Sequence, residues 1–550
     1  MLLDLRGGEP RELAKVPGTA AGYEWSPDGR VLVLALRESR KDGETKPIVI
    51  DALHFKQDYI GYLDKDFAQH LVLVDAASGK LEPLTTEPGV VDSDARFAPD
   101  GRHIAFVRER THADVQGESA IALIEPRAGA TARELVRIRT PNAQHLAWRP
   151  DGSGLVLLVG MSMDQYAYQQ DHLATLGTDG ALRAVPDTLD RTIIVPECEA
   201  DGRSVLAIVE DDRVRYPARI DLASGKVERL LTGPVTVTEV SAAAGHIAVL
   251  ATDDHSPAEV HRLEGGRLAK LSGQNDALMQ ELALGSVEDF DYESTKGTMV
   301  HALLVKPPGY VAGHRYPAIL WIHGGPNGQD EHALPFDTYP LQFERQMLAA
   351  QGYVVLAVNY RGSSGRGLGW AKAIIADWGH HEVEDLRAGL DAMIARGLAD
   401  PAHLGIGGWS YGGILTDYMT ASDARLKAAV AGAGSANQLS MYGVDQYVAQ
   451  YNAELGAPSK NAALWMKVSY PFFHADRIRT PTLFLGGDKD FNVPIVGGEQ
   501  MYESLRTLGV PAELVVYPGE FHIFSRPSHI HDRAVRVLDW YRRYLAGEAR

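Results

Sequence analysis

Hydrophobic positions in the first half of the chain come in short runs, each introduced by the same turn. Trp25-Ser26-Pro27-Asp28-Gly29 recurs as Phe97-Ala98-Pro99-Asp100-Gly101 and as Trp148-Arg149-Pro150-Asp151-Gly152, with a weaker copy at Glu199-Ala200-Asp201-Gly202. An apolar stretch follows each copy, at 31–36, 104–107, 155–159 and 205–209. Runs of this kind bounded by Asp-Gly read as strands joined by tight turns, because glycine tolerates the positive φ that hairpin turns need. Second hairpins lie between the copies. Leu71-Val72-Leu73-Val74-Asp75 turns at Ser78-Gly79, Arg219-Ile220-Asp221-Leu222 turns at Ser224-Gly225, and 260–263 turns at Gly265-Gly266. Two hairpins per unit, at a spacing of roughly 40 to 70 residues, predict the four-stranded blades of a β-propeller. A β-sandwich would not explain the repeated turn. Residues 2–13 read as the second hairpin of a blade whose first is missing, so the chain is expected to begin in mid-blade. Either the ring closes with fewer strands, or an N-terminal piece has been lost.

Near 286–298 the pattern changes to strands alternating with helices, the mark of a mostly parallel sheet covered by helices. Strands read at 318–323, 354–359, 403–408, 427–432, 482–487 and 513–517. Helices read at about 340–351, 382–396, 412–421, 496–508 and 530–545. The expected division is a β-propeller over 1–283 and an α/β domain over 284–550.

Bulk properties narrow the function. A chain of 550 residues exceeds what one core holds, in keeping with two domains. Its longest apolar runs, such as 318–322 and 354–358, are too short to span a bilayer. A formal charge of −18 argues against nucleic acid or anionic lipid as a partner. The single cysteine, Cys198, excludes an internal disulfide and a cysteine-rich metal site, and it reads as a structural thiol. No basic region followed by an apolar stretch opens the chain, so no export signal is visible. A cytoplasmic location is the default expectation, with the periplasm or secretion as the alternative for a truncated N-terminus.

The chemistry gathers in the second half. Gly408-Trp409-Ser410-Tyr411-Gly412-Gly413 lies between the strand at 403–408 and the helix at 412–421. A G-x-S-x-G in that setting is the nucleophile elbow of an α/β-hydrolase: the turn pushes the serine Oγ out at the carboxyl end of the sheet, and small glycines permit the crowding. Upstream, His323-Gly324-Gly325-Pro326 ends another strand, where this fold places one oxyanion donor; the other is the N–H after the nucleophile. Gly325 and Tyr411 are the expected donors. Downstream, Asp488-Lys489-Asp490 follows one strand and Pro518-Gly519-Glu520-Phe521-His522 the next. The order Ser, Asp, His is that of the fold. His522 would take the serine proton and return it to the leaving group, while a carboxylate holds the imidazole. Periodicity does not separate Asp488 from Asp490. His529 and His531 compete with His522 but open the last helix. His380-His381-Glu382 reads as a helix N-terminus and lacks metal-ligand spacing, so neither metal nor cofactor is expected.

Taken together, His323-Gly324-Gly325-Pro326, Asn359-Tyr360-Arg361-Gly362-Ser363, the Ser410 motif, Asp490-Phe491-Asn492-Val493-Pro494 and 517–522 resemble the prolyl oligopeptidase family of serine peptidases, closest to its acylaminoacyl-peptidase and dipeptidyl-peptidase branches. The resemblance covers about 290–550 and extends loosely over the repeats, since the family carries an N-terminal propeller. It implies that the acid opens an Asp-x-Arg/Asn-Val run, which selects Asp490. It also implies that Asn492 binds the P2 carbonyl of a substrate, and that Val493, Tyr442 and Tyr447 line an apolar S1 pocket. A propeller tunnel and the gap between domains would restrict partners to short peptides, with self-association left open. No adjacent Glu-Glu pair of the kind dipeptidyl peptidases use to hold a free amino terminus occurs in 1–283. The expected activity is a serine exopeptidase working through an acyl-enzyme. An esterase with the same triad is one alternative, and a propeller binding protein with an idle hydrolase domain is the other.

Overall fold

The computed structural model describes residues 1–4, 6–38, 47–63, 68–111, 118–139, 144–160, 167–168, 170–334 and 343–545. From Gly18 to Lys270 the chain builds five antiparallel units of four main strands each, spanning 18–83, 90–138, 144–184, 192–229 and 236–270. Parallel bridges, Gln69 to Val91 and Arg215 to Thr236, join the first unit to the second and the fourth to the fifth. Leu2 and Arg11 form an isolated antiparallel bridge ahead of them.

The repeated turns are closed locally. Asp28 accepts the N–H of Arg30 (3.1 Å), Asp100 that of Arg102 (2.9 Å) and Asp151 that of Ser153 (2.9 Å), and Gly152 takes a left-handed φ of 71°. The fifth unit escaped the repeat because its first hairpin turns differently. Ala244 and Gly245, at φ 51° and 78°, make a two-residue turn with two left-handed positions and no Pro-Asp-Gly.

Successive units share cores, which explains why the second strand of each is an unbroken apolar run. Ile104 and Phe106 pack toward the first unit, whereas Ala105 and Val107 pack toward the third. Leu155 and Leu157 face the second unit while Val156 and Leu158 face the fourth; Val205 and Ala207 face the third while Leu206 and Ile208 face the fifth. Side chains alternate across a strand, so burial on both faces demands apolar residues at every position. Cys198 packs at one such junction, its thiol against the Ala147 carbonyl at 3.8 Å and pushed up to about 11 by burial.

After the helix Asp276–Glu281 comes an eight-stranded sheet ordered Val287–Glu293, Met299–Val305, Val354–Asn359, Tyr316–Ile322, Ala399–Trp409, Leu426–Gly432, Thr482–Gly487 and Ala512–Tyr517. The first two pairs in this order are antiparallel and the remaining five are parallel. Helices His381–Ala395 and Tyr411–Ser422 cover one face, and Phe343–Ala349 and Pro527–Tyr544 the other. The expected helix at 340–351 is this Phe343–Ala349; residues 340–342 lie outside the described residues. Tyr316–Ile322 lies between a strand that precedes Ala399–Trp409 in the chain and Ala399–Trp409 itself, so the strand order reverses beside it. Crevices at such reversals, off the carboxyl ends of the strands, are where open α/β sheets bind ligands. Among the described residues, no helix is long and apolar enough to cross a membrane.

Candidate active site

Ser410 joins Ala399–Trp409 to Tyr411–Ser422 with φ 59° and ψ −126°, a conformation that L-residues rarely adopt. Crowding holds it there. A Cβ on Gly408 would sit 2.5 Å from the Ile322 carbonyl oxygen, one on Gly412 2.1 Å from the same atom, and one on Gly413 2.3 Å from the Gly432 oxygen. Only bare backbone fits where the helix start, the elbow and two neighbouring strands meet. Tyr411 heads the helix, and the first N–H groups of a helix have no partner within it.

The loop after Tyr316–Ile322 faces this turn. A Cβ on Gly324 would lie 3.1 Å from the Ser410 Cβ and 3.6 Å from its Oγ, and Gly325 at φ 123° lines the same cavity as Ser410. His323 holds the loop rather than reacting. Its ring contacts the Gly324 carbonyl (2.7 Å) and the Ser363 hydroxyl (3.0 Å) and stacks on Tyr360, whose hydroxyl donates to the His323 carbonyl at 3.0 Å. Burial lowers its pKa, which favours the neutral ring. Arg361 is clamped on Asp385 at 2.7 Å and on Glu384 at 3.0 Å. The Asn359-to-Ser363 motif thus braces the His323 loop.

At the other side, His522 Nδ1 meets Asp490 Oδ2 at 2.7 Å, with His522 2% and Asp490 4% exposed. Asp490 Oδ1 accepts the N–H of Asn492 (2.8 Å) and Val493 (2.7 Å), so the Asp-x-Asn-Val run caps its own carboxylate. Asp488 takes no part: it accepts the Gly519 N–H at 2.6 Å. His529 is bound to Glu520 at 2.7 Å and His531 is exposed. The His522 carbonyl is held by the Trp409 indole at 3.1 Å, next to the elbow. His522 Nε2 is buried and, among the described residues, has no hydrogen-bond partner, Ser410 Oγ included. Hydrogen bonds of this kind are often long in unliganded enzymes and tighten when substrate arrives.

A cavity of about 270 Å³ opens beside Ser410, walled by Trp378, Tyr411, Ile414, Met441, Tyr447 and Val493. Asn492 also lines it, its Oδ1 accepting from Gln446 (3.2 Å) and from the Tyr447 hydroxyl. Tyr442 corrects the expectation. Its ring sits edge-on against Trp465, its hydroxyl donates to Asn452 at 2.9 Å, and it is not part of the cavity wall. Under the wall, Glu382 accepts from the Tyr411 hydroxyl at 2.7 Å, and burial pushes it up to about 7. His380 stands at the N-terminal boundary of the helix His381–Ala395 without a side-chain capping bond. One ligand atom each from Asp377, His380 and His381 lies within 4.8 Å of the others, but Asp377 is taken by the Lys467 ammonium (2.6 Å) and by His380 (2.8 Å).

Sequence reasoning missed one part of the site altogether. The connection between Val31–Glu38 and Gln69–Asp75 sends Asp58 to the backbone of both the Asp490 and His522 loops. Its length, against the two residues linking Ser204–Asp211 to Val214–Asp221, was the available signal.

Residues 339–548 match the prolyl oligopeptidase family. An uncharacterized peptidase, YuxL, of Bacillus subtilis is 27% identical over 99% of this chain and 86% of its own length. Dipeptidyl-peptidase 5 of Porphyromonas endodontalis is 24% identical over 98% of this chain and 81% of its own. The acylaminoacyl peptidase of Pyrococcus horikoshii superposes with a TM-score of 0.83 at 19% identity, covering 99% of this chain and 84% of that one, a likeness of fold. Residues 339–548, reaching from the helix Phe343–Ala349 to the last helix, thus form a domain of the prolyl oligopeptidase family, and the chain is a serine-type peptidase.

Proposed function

We propose that the chain removes short amino-terminal units from peptides, in the manner of a dipeptidyl or acylaminoacyl peptidase, through an acyl-enzyme on Ser410. The observation that carries this is the strained Ser410 at a helix head, opening on a cavity shared with Asn492, with the buried His522–Asp490 pair (2.7 Å) in adjoining loops. In this reading His522 Nε2 takes the Ser410 proton as Oγ attacks the scissile carbonyl. Asp490 keeps Nδ1 protonated and stabilises the imidazolium. The Tyr411 and Gly325 N–H groups receive the oxyanion. His522 then protonates the departing amine, and water attacks the ester with His522 again as base. Asn492, its carbonyl end occupied, offers its NH₂ to the P2 carbonyl; Val493, Tyr447 and Trp378 receive the P1 side chain.

The five units, each sharing a core with the next, support a propeller over 1–283 beside an α/β-hydrolase over 284–550. The names of the relatives support short peptides as substrates.

Fluorophosphonate labelling and a panel of peptide anilides, free and N-acetylated, test the reading beside p-nitrophenyl esters. Ser410→Ala should abolish labelling and lower turnover at least ~10³-fold. Ester cleavage with no peptide turned over would favour the esterase, and absence of labelling in the native chain an idle domain.

A further inference from the structure

The first antiparallel unit carries a small hairpin that, among the described residues, its neighbours lack. Leaving its second strand at Glu38, the chain forms this hairpin, Lys56–Gln57 with Gly61–Tyr62, before returning at Gln69. The hairpin tip lies on the loops of the second half. Asp58, 7% exposed, accepts the Phe491 N–H on Oδ1 (3.1 Å) and the His522 N–H on Oδ2 (3.2 Å), and its own N–H donates to Gln446 at 2.8 Å. Beside it the Tyr59 ring stacks on Phe521 at 5.2 Å, and its hydroxyl lies 3.1 Å from both the N–H and the carbonyl of Ile523. Lys56 donates to the Gly443 and Val444 carbonyls at 3.2 and 2.8 Å.

One carboxylate therefore holds two loops that lie far apart in sequence, at the residue after Asp490 and at His522 itself. Two N–H donors from different loops on the two oxygens of one rigid planar group set the separation of those loops to within a hydrogen bond's tolerance. That separation is what the His522–Asp490 contact needs. Asp490 from its own loop and Asp58 from the hairpin are the two carboxylates bonded to His522, one at the ring and one at the backbone.

We propose that Asp58, contributed by the N-terminal half, is a positioning residue that sets the geometry of His522 against Asp490. This rests on reading His522 as the general base. A merely structural residue would alter stability without altering the chemistry of each folded site.

The test uses the full chain with Asp58→Asn and Asp58→Ala, assayed on a peptide anilide from pH 5 to 9, with active sites titrated by fluorophosphonate and folding followed by thermal unfolding. Asp58→Ala should lower kcat per titrated site about 10- to 100-fold with KM within about twofold. Asn is isosteric and keeps one acceptor, so Asp58→Asn should fold and fall between. Wild-type kcat per titrated site would overturn the proposal, whatever the melting temperature does. His522→Ala separates the two readings: if it retains activity, the general-base assignment fails, whereas an inactive His522→Ala beside normal Asp58 variants sinks only the role of Asp58.

Discussion

Glycine is used for opposite reasons in the two halves of this molecule. In the N-terminal turns it answers a demand of conformation: Gly152 has a φ of 71° and nothing within 4 Å of where a Cβ would point. At the elbow it answers a demand of space: Gly412 sits in a helix start, and a Cβ there would lie 2.1 Å from a backbone oxygen. A turn with open surroundings can absorb strain at the cost of its own dihedral. The elbow cannot, because the obstacle is the end of the strand that carries the His323 loop. The same contrast holds for carboxylates. Asp28 and Asp151 serve exposed turns within a few residues, whereas Asp490, Asp58 and Glu382 are buried where distant segments meet.

The largest effect should come from closing the space at the elbow. Gly412→Ala is expected to lose fluorophosphonate labelling and peptide turnover by more than ~10⁴-fold. Labelling at the wild-type rate would show that the crowding is dispensable. Next, Asp490→Asn should lower kcat about 10⁴-fold by leaving His522 in the wrong tautomer. Asp488→Asn should change it less than about twofold, and similar losses in both would erase the distinction between buried and turn carboxylates.

Glu382 sharpens the comparison through pH. Burial raises it from 4.5 to about 7 in the folded chain, so between those values the folded state binds the extra proton. Its contribution to stability is complete below about pH 4.5 and is lost as pH rises through about 7. One carboxylate oxygen, Oε2, is buried without a hydrogen bond, as suits a protonated group. Glu382→Gln should flatten the fall in unfolding free energy over that window by on the order of 2 kcal/mol; an unchanged slope would mean that the group is ionised when folded. Smallest is Gly152→Ala, expected to destabilise by about 1 kcal/mol in denaturant titration with kcat/KM unchanged.

Much of this was legible in the chain. Strand–turn–helix around Ser410 shows in sequence because hydrophobic period, glycine spacing and turn chemistry act over a few residues. The same locality made the repeated Asp-Gly turns visible and hid the fifth unit's first hairpin, where Ala244-Gly245 solves the turn in another way. The order of Ser410, Asp490 and His522 follows from which strand ends carry loops, another local property.

What only the tertiary structure decided depends on the path of the backbone. Asp490 and Asp488 lie two residues apart; resemblance favours Asp490, but it is the fold that sets one carboxylate against the imidazole of His522 and leaves the other to close a turn with Gly519. Tyr447 and Tyr442 belong to one aromatic run, yet one lines the cavity and the other packs on Trp465. Asp58 stands in a different half of the chain from the groups it holds. A carboxylate becomes part of a site by what folding sets against it, and no pattern within a few residues of Asp58 encodes contacts with 491 and 522.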